Sequence, residues 1–266
     1  MSNFEGLESS GSDNPDEDVS SPDSTAEIAS EVPPAEKINI AGYLYNKNFN
    51  CPVCDADFAS TVIKSGKARF LSSDTDLKPL YRPFDPTYYD IVVCRNCGYA
   101  ALVSVFRKIT SSQCNKVLTE IKPKYVDKDY PMILTTDMAI ERHKLALHTS
   151  FAKGGSNGEK GFICLKIAWL YRDLADDENE KFFIKHAYTK LKEAYSTDSF
   201  PIFGMDEAQL TYLIGELARR VGNYSESLRW ISKVVLMKNV NSRLKEKADD
   251  IRNLLRDELK QGETEI

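Results

Sequence analysis

Two C-x-x-C pairs, Cys51-Pro-Val-Cys54 and Cys94-Arg-Asn-Cys97, constrain this chain more than any other feature. Two residues between cysteines let a tight turn aim both thiolates at one ion while nearby backbone N–H groups support the sulfur charge. Two such turns complete a tetrahedron. Gly98, directly after the second pair, helps the chain take its turn. The 39 residues between the pairs exceed the shortest ribbon spacing but leave room for a hairpin. Cys51, Cys54, Cys94 and Cys97 are therefore the candidate ligands, with zinc the expected ion; the same four thiolates also suit iron in a rubredoxin-like site. With every ligand supplied by protein, no position stays open for water or substrate, so the metal is expected to be structural. A redox use of thioredoxin type is the alternative, but it calls for a single pair beside a βαβ unit, and the pattern here shows two pairs and no such unit.

The segment 1–36 holds ten acidic residues and no Lys or Arg, and Phe4 is its sole aromatic. Such a composition cannot bury enough apolar surface to offset its ordering entropy, so a disordered acidic tail is expected. The whole chain carries −5, which leaves about +5 spread over the remainder, far from the concentrated basic stripe of a dedicated nucleic-acid binder. No apolar run approaches the roughly 20 residues of a membrane span, and the N-terminus lacks the basic start and apolar stretch of a secretory signal. A cytoplasmic protein is expected, with reduced cysteines and no membrane partner.

Residues 37–104 read as a small zinc-ribbon-like module. Short apolar alternations, Thr61-Val-Ile63, Ala68 to Leu71 and Tyr88 to Val93, predict strands of one small antiparallel sheet, with Ser65-Gly66 as a hairpin turn between the first two. Residues 105–135 connect this module, through one weak helix over 105–121, to a helical domain at 136–260. Helices are predicted near 136–151, 159–175, 179–196, 206–221, 225–238 and 241–259, with Gly154 to Gly158 a flexible break, Asp206 an N-cap and Gly222-Asn223 a helix end. The fold class is α+β.

Within the helical part, the run from Thr211 to Val235 resembles a tetratricopeptide unit. Gly215 and Ala218 permit close helix contact, Gly222 turns the chain, Tyr224 packs behind the turn, and Ser227, Ile231 and Val234 face the first helix. Leu165 to Arg172, followed by Phe182 to Tyr195, forms a second pair at an irregular offset. Such an array exposes a concave surface for a peptide or protein, although a plain bundle supporting the zinc module gives a similar pattern.

Little points to catalysis. Cys114 and Cys164 are isolated within predicted helices and suit core packing; His143 and His148 are five apart, off the i, i+4 spacing of a helical metal site, and His186 stands alone. No G-x-S-x-G, P-loop or G-x-G-x-x-G follows a predicted strand. Asp74-Thr75-Asp76 offers either a metal or nucleotide contact or, more simply, carboxylates that satisfy local backbone donors. Tyr81, Phe84, Tyr88 and Tyr89 offer either base stacking or packing over the zinc sheet.

Taken together, Cys51-Pro-Val-Cys54, Asp74-Thr75-Asp76, Pro86-Thr-Tyr88-Tyr89, Cys94 to Ala100, Ala139 to Leu147 and Leu165 to Arg172 resemble the bacterial family called domain of unknown function 2225, over about residues 38–235. The resemblance implies a zinc-ribbon-like start joined to tetratricopeptide-like helices, and it assigns no catalytic residue. The expectation is a non-enzymatic adaptor whose helices bind a protein or peptide. A nucleic-acid factor using Lys64, Lys67, Arg69, Lys78, Arg82 and Arg95 is the runner-up, and an enzyme with Asp74, Asp76 or Arg172 between the modules is the third reading.

Overall fold

The structure, a computed structural model, describes residues 39–264; the acidic segment 1–36 lies outside the described residues. The fold is α+β. Six short strands, β1 (Leu44–Asn50), β2 (Asp57–Ile63), β3 (Arg69–Ser73), β4 (Pro79–Arg82), β5 (Ile91–Val93) and β6 (Ala100–Leu102), precede most of the helices. They pair as β1–β2, β3–β4 and β5–β6, each antiparallel, in place of the single sheet expected. Ser65-Gly66 does turn, with Gly66 at φ 72°, but it carries the chain from one pair to the next and joins no hairpin. The partner of β2 is β1, whose Leu44 and Phe49 alone are buried among polar neighbours, so alternation does not announce it. Tyr88 and Tyr89 also depart from expectation: Pro86–Tyr89 is a turn of 3-10 helix, started by Pro86 and capped by Asp85, which accepts from the Thr87 N–H at 2.8 Å.

The helices are α1 (Ser111–Glu120), α2 (Thr136–Ala152), α3 (Asn157–Asp173), α4 (Asp177–Thr197), α5 (Glu207–Arg220), α6 (Tyr224–Leu236) and α7 (Ser242–Thr264). Their starts follow local chemistry. Thr110 and Asp206 each form a capping box, with Gln113 and Gln209 respectively, and Thr135, Ser156 and Asp176 cap α2, α3 and α4. Helix α5 ends as expected, with Gly222 at φ 80° and the Asn223 N–H donating to the Ala218 carbonyl at 2.8 Å. The Gly154 to Gly158 segment is a tight joint and no flexible break. Ser156 already caps α3, the buried Lys153 and Glu159 pair at 2.7 Å across the joint, and a Cβ on Gly155 would meet Ser150 Oγ at 2.4 Å.

Helices α3 and α4 pack as one antiparallel pair and α5 and α6 as the next, with α7 closing on α6 and α5. The glycines permit this: a Cβ on Gly161 would meet Leu191 Cγ at 2.8 Å, and one on Gly215 would meet Ile231 Cδ1 at 2.8 Å. The β5–β6 hairpin lies between two cores. Ile91, Val93, Ala100 and Leu102 join the apolar core of α2 to α5, whereas Val92, Tyr99 and Ala101 pack with the cysteines, Phe49 and Phe106. The two-residue period of a strand thus attaches the cysteine cluster directly to the helices.

Candidate metal centre

Cys51 and Cys94 open two loops with the same hydrogen-bond pattern. The Cys51 N–H donates to the Ala56 carbonyl at 3.0 Å and its carbonyl accepts from the Asp55 N–H at 2.9 Å. Cys94 does the same with Tyr99 at 2.8 Å and Gly98 at 2.9 Å. The fifth residue of each loop is left-handed, Asp55 at φ 59° and Gly98 at φ 72°. In the first loop an Asp tolerates this, held by Asn50 Nδ2, which donates to its carbonyl at 3.2 Å. Glycine is required in the second, because a Cβ there would lie 2.4 Å from the ring of Tyr125.

These loops face each other and bring the four sulfur atoms within 4.8 Å of one another. Cys51 Sγ lies 3.7 Å from Cys97 Sγ, and Cys54 Sγ lies 3.6 Å from Cys94 Sγ. Thiolates about 2.3 Å from a tetrahedral ion are about 3.8 Å apart, so the spacing fits a bound metal. Support comes from the Val53 N–H toward Cys51 Sγ and from Asn96 Nδ2 toward Cys54 Sγ, both at 3.4 Å. Among the thiols themselves, hydrogen bonds from Cys51 and Cys97 draw the Cys94 pKa down to about 2, while those bonds, with burial, push Cys51 up to about 12 and Cys97 upward as well. A cation among the four sulfurs would favour the thiolate forms that ligation requires.

A family model described as "Uncharacterized protein conserved in bacteria (DUF2225)" matches residues 44–255. The chain belongs to this family. No curated protein and no solved structure matches it. The family region spans both the cysteine cluster and the helices through most of α7.

The Asp74-Thr75-Asp76 element carries a second constellation. It sits between β3 and β4 and enters the groove formed by α3, α5 and α7. Asp76 is fully buried, and both its oxygens are engaged: Arg172 Nη2 donates at 2.5 Å, Trp169 Nε1 at 3.0 Å and the Lys78 N–H at 3.2 Å. Asp74 accepts from Arg172 Nη1 at 2.8 Å. Thr75 donates to the fully buried Glu216 at 2.7 Å and receives Arg220 Nη2 at 2.9 Å, while Tyr212 donates to the Thr75 carbonyl at 2.7 Å. From α7, Lys247 Nζ reaches the Ser73 carbonyl at 2.9 Å. Local backbone contacts do exist, such as Asp74 with the Thr75 N–H, but the dominant partners lie on distant helices. Glu216 was missed by sequence reasoning, although an acid inside the apolar Leu213-Ile-Gly-Glu-Leu-Ala218 run, three and four residues before Arg219 and Arg220, marks a buried pair.

Other candidate residues separate cleanly. His143 is buried beside the Ala139 carbonyl at 2.7 Å, and desolvation lowers its pKa to about 3; His148 is exposed. Cys164 is core, and Cys114 directs its thiol to the Pro52 carbonyl at 3.4 Å, against the first cysteine loop. Tyr89 is buried and Tyr88 meets Thr136 Oγ1 at 2.8 Å, so these aromatics pack. Lys78 is buried against the Trp169 carbonyl and Asp173, and Arg95 pairs with Asp127 at 2.8 Å. Among the described residues no helix is long and apolar enough to cross a membrane.

Proposed function

We propose that Cys51, Cys54, Cys94 and Cys97 hold a structural zinc ion and that the chain is a non-enzymatic cytoplasmic scaffold, its tetratricopeptide-like helices at 136–260 binding a protein partner. The carrying observation is the groove of α3, α5 and α7, where Tyr212 and Lys247 take up backbone carbonyls and Arg172 and Arg220 take up acidic or hydroxyl side chains of Ser73 to Asp76. A repeat groove that binds a peptide would use such contacts, and here they are taken up by the chain's own loop. The zinc-ribbon-like module at 37–104 and the helices would then work as one unit.

With that groove filled, the partner surface proposed here is a second one, between α4 and α6. There α4 and α6 flank a groove of about 720 Å³ lined by Tyr188, Thr189, Lys192, Ser196 and Trp230. The third reading, catalysis by Asp74, Asp76 or Arg172, draws no support from a network whose members saturate one another. The nucleic-acid reading loses Lys78 to the interior, and Arg95 is engaged by Asp127, which leaves Lys64, Lys67, Arg69 and Arg82.

Tagged full-length protein, captured from its native cytosol with and without nuclease, tests this. A discrete protein set that survives nuclease and is lost on adding Thr189→Arg and Ser196→Arg supports the scaffold. Recovery that depends on nucleic acid, or a set unaffected by the two arginines, overturns it.

A further inference from the structure

Arg142 lies on α2 at 4% exposure, and among the described residues no carboxylate pairs with it. Its Nη2 donates to the Ile91 carbonyl, and its Nε is buried with no hydrogen-bond partner. A buried guanidinium without a counter-charge is costly, and interiors normally supply one. The nearest compensation is the Tyr130 ring, whose centroid lies 5.6 Å from Arg142 Cζ, but Lys128 Nζ also sits 5.6 Å from that ring. Two cations therefore share one aromatic ring.

Arg142 lines a cavity of about 200 Å³ between β1–β2, the second cysteine loop and the segment before α2. Its other walls include Arg95, Lys128, Tyr130 and Ser60, which carry donors, and Thr61, whose hydroxyl donates to Asn46 Oδ1 at 3.0 Å. Asp129 is the one acid in the wall, and Arg95 Nη1 meets it at 3.2 Å. Arg95 is further held by Asp127, and Lys128 by Glu141, so the unbalanced charge is that of Arg142. A phosphate has acceptor oxygens enough to meet both the Arg142 guanidinium and the Lys128 ammonium and Ser60 hydroxyl on the other walls.

We propose that this cavity binds a phosphate group, either as inorganic phosphate or on a small phosphomonoester, with Arg142 as its buried counter-charge and Lys128 at its mouth. The site is separate from the cysteine cluster, although Arg95 belongs to the second cysteine loop and Tyr125 packs on Gly98 while lining the same cavity. It is also separate from the partner surface on α4 and α6, so failure of either proposal leaves the other standing.

Calorimetric titration of the full-length protein with inorganic phosphate, with O-phosphoserine, and with sodium chloride at matched ionic strength tests it. Saturable binding of one or both phosphate probes, absent with chloride, is expected. Heat from inorganic phosphate alone assigns the free ion, and stronger heat from O-phosphoserine assigns the ester. Arg142→Gln should weaken binding by roughly tenfold or more, the loss of a charged hydrogen-bond donor set. Should Arg142→Gln fail to fold, Lys128→Ala decides, because that side chain is half exposed; weaker phosphate binding at an unchanged melting temperature supports the site. No phosphate binding, an equal response to chloride, or binding unchanged in the variants overturns it.

Discussion

The Asp76 carboxylate and the Arg172 guanidinium, 96 residues apart in the chain, meet at 2.5 Å with Asp76 fully buried. Removing one member of such a pair strands the other in the interior. Arg172→Met should cost about 3–5 kcal/mol, whereas Asp76→Asn with Arg172→Met together should cost less than the two single losses combined. Urea unfolding of the three variants gives the cycle; strict additivity would refute the coupling.

The same pair predicts an acid limb of stability. Burial alone would raise the Asp76 carboxyl, but hydrogen bonds from Arg172 and the charges of Arg220 and Arg172 hold it below the ordinary 3.8. A carboxylate whose pKa is lowered by folding contributes fully above its unfolded value, and that contribution is lost as pH falls below 3.8 toward the folded value. Urea midpoints taken from about pH 5 down to about pH 2 should fall less steeply for Asp76→Asn than for the natural chain.

One zinc ion per chain should be found by elemental analysis. Cys54→Ser and Cys97→Ser should each release it and lower the melting temperature, since the ligands sit in the same core as Val92, Tyr99 and Ala101. Unchanged metal content and melting in both variants would remove the assignment, and stoichiometric iron would replace zinc with the rubredoxin-like alternative.

The two cysteine loops should respond unequally to substitution. Asp55→Gly relieves a left-handed residue and should leave stability within about 1 kcal/mol. Gly98→Ala places a Cβ 2.4 Å from the Tyr125 ring in a left-handed position, which should weaken metal retention markedly. Adding Tyr125→Ala should restore part of that loss, and a chelator challenge followed by absorbance of a zinc indicator would report it.

Helix α5 meets α6 at Gly215, where Ser227 Oγ donates to the Gly215 carbonyl at 2.7 Å. Gly215→Ala should cost about 1–3 kcal/mol by driving Ile231 off its site, and Ile231→Val should recover part of it. Thermal melts of the single and double variants are sufficient.

What could be read from the sequence followed the range of the forces involved. The candidate cysteine set is local in each half, with two residues between the members of a pair, and the structure gathers all four sulfurs. Caps are local too, so Asp206 and Gly222 mark the ends of α5 as expected. Strand pairing was obscured because β1 is polar along most of its length and β2 turns back to it instead of forward through Ser65-Gly66. The seat of Asp74 to Asp76 in the helical groove was hidden for a different reason: its partners, Trp169, Arg172, Tyr212 and Glu216, are fixed by tertiary packing that no local pattern encodes. Arg142 left a fainter mark, a basic residue at a position that Ala139, His143 and Ala146 assign to the buried face of α2.

The cysteine loops and the Asp76 seat have a joint effect on closure. Cys54 and Cys94 stand 40 residues apart, and Asp76 is fastened near the middle of the span between them. That span is a shackle with two pins. With β5–β6 already packed on the helices, seating Asp76 first roughly halves the length of chain that a metal would still have to close, which saves about 0.6 kcal/mol of loop entropy, and a metal bound first would spare the seat the same amount. Each pin therefore tightens the other with no atom shared between them.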